Sequence, residues 1–113
     1  MLVINRFVVA PDAVDGFTER AHAALAALAA RPGYTRGRLT RGLDEPDQWC
    51  LVTEWESVGT YRRALGAFDV KVNATPLLAE SLDEPSAFEE LASAEPGGEV
   101  AVRASDRAPN PGR

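Results

Sequence analysis

Cysteine, histidine and methionine each occur once in the 113 residues. A single thiol excludes an intrachain disulfide, and nothing points to an oxidising compartment. His22 has no second His or Cys near it in sequence, so no ligand-spaced cluster exists and no metal site is expected. Basic charge is scarce too: 12 Lys and Arg stand against 17 Asp and Glu, a formal net charge of −5. Nucleic acid and anionic membrane surfaces both call for a basic face, so neither is an expected partner. The longest apolar stretch, AALAALAA at 23–30, falls far short of the roughly 20 residues that span a bilayer. Met1–Ala10 alternates and holds Asn5 and Arg6, unlike the apolar core of a signal peptide. Phosphate-binding glycine loops are also missing. The two glycines of RPGYTRGR sit in a turn and a strand with no helix behind them. These absences together predict a cytoplasmic protein.

What is present is pattern. LVINRFVV (2–9) is rich in β-branched residues and stops at Pro11, predicting a first strand. Asp12 is positioned to cap a helix in which Val14, Phe17, Ala21, Ala24, Leu25 and Leu28 form one apolar stripe. RPGY (31–34) ends it, because proline cannot continue the ladder and glycine supplies the turn. YTRGRLTR (34–41) predicts a polar edge strand whose arginines discourage unwanted pairing. After the loop GLDEPD (42–47), QWCLVTEWE (48–56) predicts a third strand. Ser57 then caps a helix that turns Val58, Tyr61, Leu65 and Phe68 inward. Asp69 is placed to cap a further turn. Thr75 and Pro76, as N-cap and first helical residue, mark a break and a restart through Leu82. SAFEEL (86–91) is the last predicted strand, and EVAVRA (99–104) has weaker strand character. Ala, Pro, Gly and Ser dominate from Ala92 onward. One domain over 1–91 and a mostly disordered tail over 92–113 are therefore expected.

The order β, α, β, β, broken α, β predicts a ferredoxin-like α+β domain, an antiparallel four-stranded sheet with helices on one face. In the first strand Val3, Asn5, Phe7 and Val9 alternate with Leu2, Ile4, Arg6 and Val8. In the third, Trp49, Leu51, Thr53 and Trp55 alternate with Gln48, Cys50, Val52 and Glu54. A strand wet on one side would alternate more cleanly, so a second copy is expected over the far face, giving a homodimer. Arg6 and Glu54 share that face and are expected to form a cross-strand or intersubunit ion pair there. Cys50, on the same face, reads as an inert thiol.

With that strand order, the segments INRF (4–7), RAHAALAALAARPGY (20–34) and LVTEWESVGTYRRAL (51–65) resemble the antibiotic biosynthesis monooxygenase family of dimeric α+β barrel proteins. The PGY turn and the strand that ends in an aromatic before Glu-Ser carry most of the likeness, which spans about residues 1–91. The resemblance implies a homodimer with a pocket between sheet and helices in each subunit. It also implies cofactor-independent oxidation of a small aromatic or quinol-type substrate. A non-catalytic dimeric module binding a small hydrophobic ligand is the alternative on the same fold. The haem-degrading branch of the family uses an Asn, a Trp and a proximal His. Asn5 matches the first, but the other two positions fall near Ala64 and Asn73, so haem chemistry is not expected.

Asn5 is an amide among apolar neighbours, and the resemblance makes it a donor to a developing oxyanion. A satisfied core amide is the other reading. Trp55, at the strand end, is the second expected catalytic residue, and Phe7, Thr53, Tyr61 and Phe68 are expected to contact the substrate. Trp49 is either pocket wall or core. Arg62 and Arg63 read as solvated, and His22 as a residue at the edge of the apolar stripe.

Overall fold

The computed structural model describes residues 1–105 and 107. Strand β1 (Leu2–Val8) leads through a short 3-10 turn at Pro11–Ala13 into helix α1 (Val14–Ala29). Strands β2 (Tyr34–Arg41) and β3 (Gln48–Trp55) follow. Three short helices come next, α2 (Val58–Leu65), α3 (Phe68–Asn73) and α4 (Thr75–Leu78). Strand β4 (Ala87–Phe88) completes a sheet of order β2-β3-β1-β4, antiparallel at every pair. This is the ferredoxin-like α+β arrangement, with β3 inserted between β1 and β2.

The register settles which residues share a side. Val3 lies opposite Thr53, Asn5 opposite Leu51 and Phe7 opposite Trp49. Gly37, Leu39 and Arg41 of β2 continue the same rows. On this side Val3, Phe7, Leu51, Thr53 and Trp55 are all 3% exposed or less. The helices cover it. From α1 come Phe17, Ala21, Ala24 and Leu28, and from the later helices Ala64, Val70 and Leu77. The predicted stripe of α1 is therefore the buried one, and its alanines let the helix lie close to its neighbours. The opposite side of the sheet carries Leu2, Ile4, Arg6, Val52, Glu54 and Val8. Among the described residues no helix covers it, and Val8 is 59% exposed.

The PGY turn and the start of α2 lock together. Gly33 has φ of +88°, a conformation that glycine alone adopts without strain. Its carbonyl accepts from the Glu56 N–H at 2.8 Å. Ser57 and Thr60 cap each other reciprocally: the Thr60 N–H donates to Ser57 Oγ at 3.1 Å, and the Ser57 N–H donates to Thr60 Oγ1 at 3.2 Å. The residue at the third helical position is thus threonine, doing what glutamate does in the usual capping box. Met1 and Trp55 exchange backbone hydrogen bonds at 2.8 and 3.1 Å, carrying the β1–β3 ladder up to this junction.

Several local expectations give way. Ala13, Ala67 and Ala74, not Asp12, Asp69 and Thr75, occupy the N-cap positions of α1, α3 and α4, none with a side-chain cap. Pro and Thr enter α4 as helical residues, and the helix ends at Leu78. Leu82 instead donates its N–H to the Arg6 carbonyl at 2.7 Å. The last strand shrinks to Ala87–Phe88, with one further bond to β1 where the Ile4 N–H donates to the Ser86 carbonyl at 2.7 Å. Arg6 and Glu54 share a side but stand four rungs apart. Arg6 reaches Glu84 at 3.7 Å and Glu54 meets Arg38 at 3.3 Å. In the segment expected to lack structure, β5 (Ala92–Ser93) pairs with β6 (Ala101–Val102), both exposed. The rest of that expectation, residue 106 and residues 108–113, lies outside the described residues. Among the described residues, no helix is long and apolar enough to cross a membrane.

Candidate functional site

Two aromatic clusters flank the centre of the helix-facing side. At one end Phe7, Phe17 and Trp49 meet edge to face, with ring centroids 5.1 and 5.5 Å apart. The Arg41 guanidinium lies 5.0 Å over the Trp49 ring. At the other end Trp55 packs between Tyr34 at 5.4 Å and Tyr61 at 5.5 Å. Thr53 sits beside Trp55 in the same row, and the Trp55 indole N–H donates to its hydroxyl at 2.8 Å. The alternation of β3 explains this arrangement, since residues two apart share a face.

Asn5 lies between the two clusters. It is partly exposed, whereas Val3 and Phe7 beside it in the same row are at 1% and 3%. The Asn5 carboxamide makes no hydrogen bond to another described residue. It is a donor and acceptor left without a partner among the described residues.

The other expected site residues fall differently. Trp55 is 2% exposed and its N–H is already taken, so it backs the site and offers no free polar group. Thr53 is buried at 3%, with its oxygen accepting from that indole. Phe7 is core at 3%. Tyr61 is half-buried against Trp55. Phe68 does not turn inward: α2 stops at Gly66, and the side chain opens α3 on the surface at 78% exposure. Val58 is likewise 40% exposed, and Ala64 takes the buried place in α2. Tyr34 contributes a ring that no periodicity argument assigns; its place in the PGY turn was the available signal.

Burial pushes the phenols of Tyr34 and Tyr61 above their ordinary value. The unfolded chain ionises them from about pH 10. Their contribution to stability is therefore full below that pH and is lost as pH rises through the folded values. A series of urea midpoints against pH should fall on the alkaline side, and Tyr61→Phe should flatten the fall. An unchanged slope would show that Tyr61 is not held in its neutral form by the fold.

Two surface hollows border the Trp55–Ser57 junction, away from Asn5. One, of about 480 Å³, lies among Met1, Ser57, Val58, Phe88 and Arg103. The other, of about 670 Å³, adjoins Trp55, Glu54, Arg38 and Phe88. Both are walled by the segment after β4. They share no apolar enclosure with Asn5 or Tyr61. Among the described residues, no three His, Cys, Asp or Glu side chains gather to hold a metal ion.

Comparison with known proteins gives the following. No curated protein matches the chain in sequence. Among solved structures, a mutant form of SnoaB, a cofactor-independent oxygenase from Streptomyces nogalater, superposes with a TM-score of 0.63 at 23% identity. The match covers 95% of this chain and 93% of that one. Rv0793 from Mycobacterium tuberculosis gives 0.60 at 21% identity over 96% and 97%. A conserved protein from Methanosarcina mazei Go1 gives 0.63 at 21% identity over 76% and 84%. At these identities the likeness is one of fold. The sequence itself matches the family model described as antibiotic biosynthesis monooxygenase over residues 1–71, from the first strand through α2 and into α3. The chain belongs to the antibiotic biosynthesis monooxygenase family.

Proposed function

We propose that this protein is a cofactor-independent monooxygenase acting on a small aromatic or quinol-type substrate in the gap between sheet and helices. The observation that carries the reading is Asn5, partly exposed between buried neighbours and without a hydrogen-bond partner among the described residues. Its N–H groups suit an oxygen that gains negative charge as the substrate loses a proton. The deprotonated substrate is the reductant for dioxygen: one oxygen atom enters the product and the other leaves as water. The chain's residues would orient the ring and shield the anion from solvent, with Tyr61 and the Trp55 cluster as a rigid wall.

The same reading has the protein work in the cytoplasm as a homodimer, the second copy covering Leu2, Ile4, Val8 and Val52 on the open side of the sheet. Sedimentation should show a dimer at micromolar concentration. A monomer there would remove this part of the reading.

Oxygen uptake over a panel of quinols and anthrones tests the chemistry. Asn5→Ala should lower the rate about 100-fold, as loss of one donor to a developing oxyanion does. Uptake by the variant equal to that of the unaltered protein would reject the role of Asn5. The second reading is a dimeric module that binds a hydrophobic ligand without transforming it. It is favoured by the sealed, already hydrogen-bonded Trp55. Ligand binding with no oxygen consumption by any panel member would select it.

A further inference from the structure

The two indoles of this chain are treated differently by their surroundings. Trp55 donates its N–H to Thr53, whereas the Trp49 Nε1 is cut off from solvent and has no acceptor among the described residues. Native interiors hold few such groups, because a donor that gives up water without a replacement is costly. Nor is the Trp49 ring loosely placed. Phe17 meets it edge to face at 5.5 Å, and the Arg41 guanidinium covers it at 5.0 Å. The other buried donor without an acceptor among the described residues is Arg31 Nε, just past the far end of α1.

Trp49 is also next to Asn5. Phe7 is its rung partner and Leu51 is that of Asn5, so Trp49 and Asn5 are diagonal neighbours on the helix-facing side. Diagonal positions of an antiparallel pair are about 7–8 Å apart, within reach of long side chains. Two donor groups without an acceptor among the described residues, the Asn5 amide and the Trp49 indole with its N–H closed off from solvent, thus stand at diagonal positions beside the apolar rings of Phe7 and Phe17.

We infer that Trp49 is the second hydrogen-bond donor of the site, its indole N–H and the Asn5 carboxamide together holding an oxygen acceptor of a planar aromatic ligand. The inference rests on the pocket reading given under Proposed function. It assigns the polar role at that site to Trp49 and leaves Trp55 a supporting one. A pocket of this kind selects for an oxygen-bearing ring, since a ligand without the oxygen leaves both donors unpaired.

The chain has two tryptophans, so protein labelled with ¹⁵N-tryptophan gives two indole N–H resonances, assigned with Trp49→Phe. Anthrone, a planar ketone, is titrated in under argon so that no turnover occurs. The Trp49 resonance should move downfield as its N–H gains an acceptor, with that of Trp55 nearly still. Trp49→Phe, which keeps an aromatic ring, should bind anthrone about tenfold more weakly. Its unfolding temperature should fall, since the smaller ring packs less fully against Phe17 and Arg41, so the two affinities are compared at a temperature where both proteins are folded. Equal affinity in the variant, or a shift confined to Trp55, overturns the assignment while leaving the pocket intact. No anthrone binding by the unaltered protein, at saturation, removes the pocket reading and this inference together.

Discussion

Gly33→Ala is expected to lower the stability of the fold by about 3 kcal/mol, combining a left-handed backbone penalty with overpacking. The residue sits at φ of +88°, and a Cβ built there would overlap the Thr60 side chain at distances under 3.0 Å. Thr60 has no room to withdraw, because its hydroxyl is engaged with Ser57 at the head of α2. Relief would require breaking the capping box or the Glu56-to-Gly33 backbone hydrogen bond. For a domain of this size the loss should appear as a fall of 10 °C or more in the unfolding midpoint. Thr60→Ser should recover little of it in the double variant, since the Thr60 Cβ and hydroxyl oxygen that the new Cβ meets both remain. A midpoint within 2 °C of the unaltered protein's, about half a kcal/mol, would show that the turn and the helix are not locked together.

Trp55→Ala should cost about 3–5 kcal/mol, the range for emptying a buried aromatic site. The ring is 2% exposed and makes edge contacts with Tyr34 and Tyr61, and its loss also leaves the buried Thr53 hydroxyl without its donor. Trp55→Phe keeps most of the packing and loses only that hydrogen bond, so about 1–2 kcal/mol is expected. The comparison separates support from chemistry. If Trp55 backs the site, oxygen uptake by Trp55→Phe should follow the fraction of folded protein. A stable, fully folded Trp55→Phe with no uptake would return Trp55 to a direct role.

The regular elements of this fold were legible because both periodicities are clean. The stripe from Val14 to Leu28 repeats every three or four residues, and the rows Val3–Phe7 and Trp49–Trp55 every two. Those rows also placed Asn5, Thr53 and both tryptophans on one side of the sheet before any coordinate. The cap assignments were less legible. Asp12, Asp69 and Thr75 have the right chemistry, but backbone geometry put alanines at the N-caps, leaving Asp12 one position before the N-cap of its helix and Asp69 and Thr75 a position or two inside theirs. Phe68 was misplaced for a related reason. A periodicity argument assumes one unbroken helix, and the stop at Gly66 turned the next apolar residue outward. Arg6 went to Glu84 because register along a strand pair is invisible until the turn lengths are known. The contrast between the two indoles lies further from the sequence still. Whether a buried N–H finds an acceptor depends on a hydroxyl two residues away, present for Trp55 as Thr53 and replaced by Leu51 near Trp49.

Strand β3 is laddered on both flanks along nearly its whole length, whereas β4 holds β1 over two residues only. The amides of β3 can therefore meet deuterium only when the entire molecule comes apart, and those of the β1–β4 seam can do so by local fraying. Exchange should spread inward from the Ala87–Phe88 margin and reach Leu51 last. The slowest protons of the protein then read out its global free energy of unfolding directly, residue by residue, with no denaturant added.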